Sequence, residues 1–192
     1  MTRVSSTDAE RDAVRTVANL MAVAARTAPK ARGVDTVQSL VVEGEDVEAL
    51  ARAMEEAATG RPDFFANTLR RDAGNVRNSA CVVLIGATGA PRKPETPLDC
   101  GGCGLKTCNN MIKARAKAGA ETDFLGPICA FALMDLGIAL GSAAKVAAEH
   151  NIDNRMMYTI GVGAMKLKWL DVDAVIGIPL SAGGKSIYFD RA

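Results

Sequence analysis

The sequence predicts one mixed α/β domain with a cysteine-bearing insertion, and three observations carry that expectation. Residues 80–85 read Ala-Cys-Val-Val-Leu-Ile, apolar on both faces, as a central strand covered on both sides must be. Stretches with apolar residues at helical spacing lie before and after it. Between them, Cys100, Cys103 and Cys108 fall within nine residues of a glycine-rich run that follows a proline-rich one.

The totals bound the class. A chain of 192 residues, 48% hydrophobic and 23% charged, can bury one sizeable core, and only 4% is aromatic, so aliphatic residues must fill it. The net charge of +1 makes no electrostatic case for nucleic acid, an anionic membrane or a strongly acidic partner. The first eight residues lack the apolar run of a secretory signal. Residues 124–148 form the most apolar stretch, but Asp135 and Lys145 interrupt it with Gly137 and Gly141 between them. A membrane span needs about 18 uninterrupted apolar residues, so a buried helix is expected. Five cysteines, three of them clustered, fit metal or redox chemistry in a reducing compartment better than a disulfide frame, and cytoplasm is the expected location.

The elements follow in order. Thr7-Asp8-Ala9-Glu10 predicts a capping box for a first helix, with Ala13, Val14, Val17, Leu20, Met21 and Ala24 at helical spacing and Pro29 and Gly33 ending it. Val37 to Val42 predicts a short strand. Asp46 caps a second helix through Ala58, stopped by Gly60; Pro62 suits the first turn of a third, carrying Phe64, Phe65 and Leu69 and closed by Gly74-Asn75. After the central strand, residues 86–99 hold three prolines and predict an exposed loop. A helix from Cys108 to Lys117, a turn and a long apolar helix opened by Pro127 come next. Residues 171–180 predict another apolar strand and 187–189 a last short one.

Cys100, Cys103, Cys108 and Cys129 are the metal-site candidates, spaced C-x2-C-x4-C-x20-C. Three thiolates from one tight loop plus a remote fourth is a recurring way to hold an iron–sulfur core. Gly101, Gly102 and Gly104 would let the loop wrap closely and bring amide N–H groups toward sulfur. Helix N-termini near Cys108 and Cys129 would favour thiolate charge. A four-cysteine zinc site, a Cys100/Cys103 dithiol and reduced thiols without ligand are the competing interpretations. Cys81 belongs to the core.

Residues 99–108 resemble the small four-iron ferredoxin-type domain, although the interval to Cys129 is somewhat long for it. Four phrases make the whole chain resemble a family of prokaryotic ferredoxin-domain proteins: residues 24–33, 100–108, 135–142, and 177–181 with 188–191. That family is similar to the nitroreductases, flavin enzymes with FMN at a homodimer interface. The resemblance implies a single α+β sandwich over 1–192, with residues 128–148 as its buried central helix and 86–129 as the ferredoxin-type segment. It also implies a [4Fe–4S] cluster, possible FMN and a homodimer.

Where nitroreductases carry an Arg-x-Ser-x-Arg element, this chain has Arg3-Val4-Ser5-Ser6, and Gly33 stands where a flavin-contacting Asn is expected. Arg26, Lys30, Arg32 and Lys185 are the cofactor-binding candidates for a flavin phosphate; the first three are also what a helix C-terminus favours without any ligand.

The remaining signals are discounted. Residues 181–186 end like a P-loop but lead into Ile-Tyr-Phe rather than a helix, so a turn is expected. Gly161-Val162-Gly163 hints at close backbone packing, His150 at a helix C-terminus, and Met156-Met157-Tyr158 at core. Asp135, a carboxylate in an apolar helix, must find partners or change its ionisation, and structural pairing is expected. No Ser/His/Asp set can be assembled from one histidine so placed. Two functions remain: a cluster-bearing electron carrier or oxidoreductase acting with a redox protein or small-molecule acceptor, and a non-enzymatic module stapled by zinc or a cluster.

Overall fold

The computed structural model describes residues 3–118 and 122–189. It is a sandwich of two helical layers around one antiparallel sheet. The helices are α1 (Ser6–Thr27), α2 (Glu45–Ala57), α3 (Asp63–Arg77), α4 (Cys108–Arg115), α5 (Ala130–Glu149) and α6 (Tyr158–Leu167). The strands β1 (Val37–Glu43), β2 (Cys81–Ala87), β3 (Asp153–Asn154) and β4 (Ala174–Ser181) lie in the order β1-β2-β4-β3. Every neighbouring pair is antiparallel; Leu84 of β2 stands opposite Leu40 on one side and Gly177 on the other.

The two-sided strand is the centre of the molecule, since every residue of β2 is buried. Side chains alternate along it. Cys81, Val83, Ile85 and Ala87 join the core made with α1 and α5, while Val82 and Leu84 join the core under α2, α3 and α6. Close packing on the second face depends on glycine. A side-chain carbon at Gly161 of α6 would lie 1.7 Å from the Val175 carbonyl oxygen, and one at Gly177 would lie 2.0 Å from Ile160 Cγ2. The close approach expected of the 161–163 segment is present.

Local details differ from expectation for identifiable reasons. The α1 cap is Ser5, whose hydroxyl accepts the Asp8 amide and donates to the Asp8 carboxylate, so the box starts two residues before Thr7. Helix α2 is capped by Gly44 at φ +62°, and Asp46 sits in its first turn. Helix α3 runs through Gly74-Asn75 to Arg77, because Val76 is buried and holds the last turn in the core. Phe64 points outward, and of residues 156–158 only Met157 is core. Residues 187–189 make no strand; buried Tyr188 instead bonds the Ser79 hydroxyl at 2.9 Å. Helix α6 and β3 were not anticipated. The turn expected after α4 falls partly on 119–121, and Asp190 and Arg191 also lie outside the described residues.

Helix α5 is central but two-faced. Leu136, Ala139, Leu140 and Ala143 are buried in the core with α1 and the sheet, whereas Leu133, Met134 and Ile138 are exposed. It is long and apolar enough to cross a membrane by length and composition, yet its inner stripe belongs to this core. His150 caps its C-terminal end, where it was expected.

Candidate functional site

The cysteine segment leaves the sheet at the end of β2. Its loop is not wholly exposed: Pro91 and Arg92 are buried. Residues 99–108 close on themselves, with the Asp99 carboxylate accepting the Cys108 amide at 2.7 Å and the Gly104 amide donating to Gly101 at 2.9 Å. Gly101 and Gly104 have φ of +71° and +80°, a left-handed backbone that glycine adopts without a Cβ penalty. Thr107 then caps α4 by accepting the Asn110 amide at 3.1 Å, and Cys108 is the first residue of the helix. Cys129 is the N-cap residue of α5 rather than part of its first turn, and its amide donates to Gly89 at 2.8 Å. Both thiols therefore stand at the positive end of a helix dipole.

Two of the four cysteines, Cys103 and Cys129, pack together at the start of α5. Met111, Cys129 and Ala132 form a small buried cluster, with Cys103, Leu105, Ile128 and Phe131 packed on it. Gly102 lies against the helix: a side-chain carbon there would be 3.1 Å from Ala130 Cβ and 3.6 Å from Cys100 Sγ. Cys100 is exposed, Cys103 and Cys108 are half-buried, and Cys129 is buried. Four soft sulfur donors on a glycine-cleared loop suit iron or zinc in kind. Among the described residues, no three His, Cys, Asp or Glu side chains stand arranged around one metal position. Cys81 lies apart in β2, and burial pushes its thiol up to about 12.

Charged groups that sequence reasoning missed hold the segment in place. Arg115, at the end of α4, donates to the Leu125 carbonyl at 3.3 Å, to the Pro127 carbonyl at 2.8 Å and to the Asp173 carboxylate at 2.8 Å. Asp173 also accepts the Gly89 amide, and Gly89 is the residue that receives Cys129. One arginine thus links the helix that begins at Cys108 to the strand of chain that ends at Cys129. One turn along α5, Asp135 finds the partners expected of it: Arg92 and the Ala31 amide, the latter at 2.8 Å. Nothing in the sequence pairs these residues, because their spacing is tertiary.

The flavin-phosphate candidates have other work. Lys30 is nearly buried, donating to the Ala25 carbonyl at 3.1 Å and to the Arg26 carbonyl at the end of α1. Arg26 pairs with Asp35 at 2.9 Å, and Arg32 donates to the backbone and hydroxyl of Thr96. Lys185 is exposed in the bend after β4, where the P-loop-like residues form no helix. With Arg26, Lys30 and Arg32 already committed to protein acceptors, the arrangement does not fit a phosphate as it stands.

A cavity of about 590 Å³ opens elsewhere, between α6 and the chain around Asp123 and Leu125, and none of the cysteines lines it. On its wall Asp123 is held by Arg61 and by the Tyr158 hydroxyl. Burial alone would raise the Asp123 carboxyl, but those bonds and the Arg61 charge outweigh it and hold the group below its ordinary value. Burial, reinforced by Asp123, pushes Tyr158 up to about 12.

The sandwich defines the class: this is the nitroreductase fold. The chain is similar to a putative NADH dehydrogenase/NAD(P)H nitroreductase from Bacteroides thetaiotaomicron, with TM-score 0.51 and 12% identity over 96% of this chain and 77% of that one. A nitroreductase from Saccharomyces cerevisiae gives TM-score 0.52 and 12% identity, covering 91% and 84%. A variant of an FMN and NADPH-dependent nitroreductase from a Sphingopyxis strain gives 0.53 and 14%, covering 88% and 78%. At such identities the likeness concerns the fold. The family is narrower. Residues 125–191, which include Cys129 but not the other three, match the model described as "Uncharacterized protein containing a ferredoxin domain (DUF2148)". An uncharacterized protein from Archaeoglobus fulgidus is 47% identical over 185 residues, covering 96% of this chain and 95% of that one. The chain belongs to this ferredoxin-domain family, on a nitroreductase-like frame.

Proposed function

We propose that the protein is an iron–sulfur redox protein in which Cys100, Cys103, Cys108 and Cys129 hold one [4Fe–4S] cluster. The observation that carries this is the packing of Cys103 with Cys129 at the start of α5, while Cys100 lies next to Gly102 in the same loop and Cys108 opens α4. Bound there, such a cluster supplies one-electron transfer. The chain's own part is to offer thiolates at two helix N-termini, to bend at Gly101 and Gly104, and to leave Cys100 at the surface where electrons enter. Family membership and the nitroreductase frame support a redox role. FMN has no place in the proposal because Arg26, Lys30 and Arg32 are engaged by the protein. The thiols fit a reducing compartment, the cytoplasm.

A homodimer completes the proposal. The exposed Leu133, Met134 and Ile138 flank Gly137 and Gly141, which have open space beside them, so a second α5 can approach closely.

The test is iron, sulfide, zinc and flavin content of protein prepared without oxygen. About four irons and four sulfides per chain are expected, with thiolate-to-iron absorption that bleaches on reduction. Zinc alone, or no metal after reconstitution with iron and sulfide, overturns the assignment.

A further inference from the structure

The near-neutral total conceals an uneven distribution of charge. Residues 92–118, which carry three of the four clustered cysteines, hold six of the 23 cations and two of the 22 acids. The remaining 17 cations and 20 acids leave the rest of the chain net negative. Two of the six cations are turned inward, Arg92 onto Asp135 and Arg115 onto Asp173. The other four, Lys93, Lys106, Lys113 and Lys117, are exposed, and their ammonium groups have no ion-pair or hydrogen-bond partner among the described residues. Of the two acids, Asp99 accepts the Cys108 amide and Glu95 is exposed. The cysteine segment thus carries a local excess of exposed ammonium groups on a chain that is slightly negative elsewhere.

Two exposed apolar side chains interrupt the patch. Leu98 lies two residues before Cys100, and Ile112 is one turn into the helix that Cys108 opens. Exposed apolar side chains in a segment rich in like charge suit a short-lived electrostatic encounter, where charge sets orientation and on-rate and a small dry contact limits residence.

We propose that this face docks an acidic one-electron carrier protein, whose carboxylates meet Lys93, Lys106, Lys113 and Lys117 so that its redox centre faces Cys100. This rests on the iron–sulfur assignment for its purpose, though not for its electrostatics. In the exchange the carrier loses one electron and is oxidised, the thiolate-held iron gains it and is reduced, and no bond is made or broken. The net charge of +1 by itself makes no case for a strongly acidic partner; the local distribution supplies one.

The test measures equilibrium binding of the anaerobically prepared full chain to a strongly acidic two-cluster ferredoxin, with basic cytochrome c as the control carrier. Iron content is assayed on the same samples. Binding to the ferredoxin should weaken at least tenfold between low salt and about 0.5 M salt, and cytochrome c should not bind. Lys113→Glu/Lys117→Glu should weaken it about tenfold at low salt, and Lys113→Gln/Lys117→Gln by less, with iron content unchanged. Salt-independent binding, equal binding by the charge-reversed variant, or tighter retention of a short oligonucleotide than of the ferredoxin overturns the proposal. Salt-dependent binding by a chain that takes up no iron upholds the docking face and overturns only the iron–sulfur assignment.

Discussion

Arg92 and Asp135 face each other inside the protein, their side chains 2% and 3% exposed and their nearest N and O atoms 3.1 Å apart. Asp135 also takes the Ala31 amide, and Arg92 donates to the Thr88 and Ala90 carbonyls, so the pair binds α5 to the loop that leads to the cysteines and to the turn after α1. Removing one partner strands a buried charge, which costs about 3–5 kcal/mol, whereas replacing both with apolar groups is often neutral. Asp135→Ala should therefore lose about 3–5 kcal/mol in urea unfolding. Arg92→Met/Asp135→Leu should recover most of it. A double variant as unstable as the single one would show that the bonds to Ala31, Thr88 and Ala90 matter more than the charge.

Arg115 acts on the site more directly, because its three acceptors include the carbonyl two residues before Cys129. Arg115→Met should cost about 2 kcal/mol, the scale of charged hydrogen bonds lost from a half-buried group. Its larger effect should be on metal: iron should leave to a chelator several-fold faster than from wild type. Arg115→Lys keeps the charge without the planar fork, and should restore stability better than iron retention. Equal chelator rates in all three proteins would mean that Arg115 supports the fold and not the cysteines.

The contrast between these pairs and the strands marks what the sequence made legible. The two-sided apolarity of residues 80–85 identified β2, and capping residues and periodicity located α1 to α3 within a few residues, since these signals are local. Cys100, Cys103 and Cys108 stood out because a tight loop writes its cysteines close together. Arg92, Arg115 and Asp173 did not, because each finds its partner tens of residues away. Helix α6 was missed because Gly161 and Gly163, poor helix formers, serve contact with Val175 and Met54 rather than propensity. Residues 187–189 looked like a strand because Tyr188 is apolar and buried, but its partner is a hydroxyl and not a neighbouring strand.

Thiol reactivity separates the core cysteine from the clustered ones. With its thiol pushed up to about 12, Cys81 is thiolate in roughly one molecule in ten thousand at pH 8, and it is buried in β2. Iodoacetamide at pH 8 should label Cys100 in metal-free native protein and leave Cys81 unmodified until denaturant is added, as read by peptide mass. Early labelling of Cys81 would mean that β2 opens locally.

The Asp123–Tyr158 bond gives stability two pH limits. Asp123 has a lowered carboxyl, so its contribution is complete above the ordinary carboxylate value near 4 and is lost as pH falls through the lower folded value. Tyr158 is raised to about 12 from an ordinary value near 10; its contribution is complete below 10 and is lost as pH rises toward 12. Asp123→Asn should flatten the acid limb of melting temperature against pH, and Tyr158→Phe the alkaline limb between 10 and 12. An unchanged alkaline limb in Tyr158→Phe would assign it to other groups.

The outer face of α5 decides the assembly. A helix apolar on both sides is stable in water only if both are covered, and here the inner stripe meets α1 and the sheet while Met134 and Ile138 stay exposed. Burying two such side chains recovers about 1.5–3 kcal/mol each, so a pair of charges placed there should abolish association. Met134→Glu/Ile138→Glu is expected to sediment as a monomer with its fold intact, and wild type as the proposed dimer. Since Met134 lies five residues after Cys129, iron content of the variant matters too. Full occupancy in the monomer would show that each chain completes its own site, and loss of iron with retained fold would place the site under the control of the second subunit.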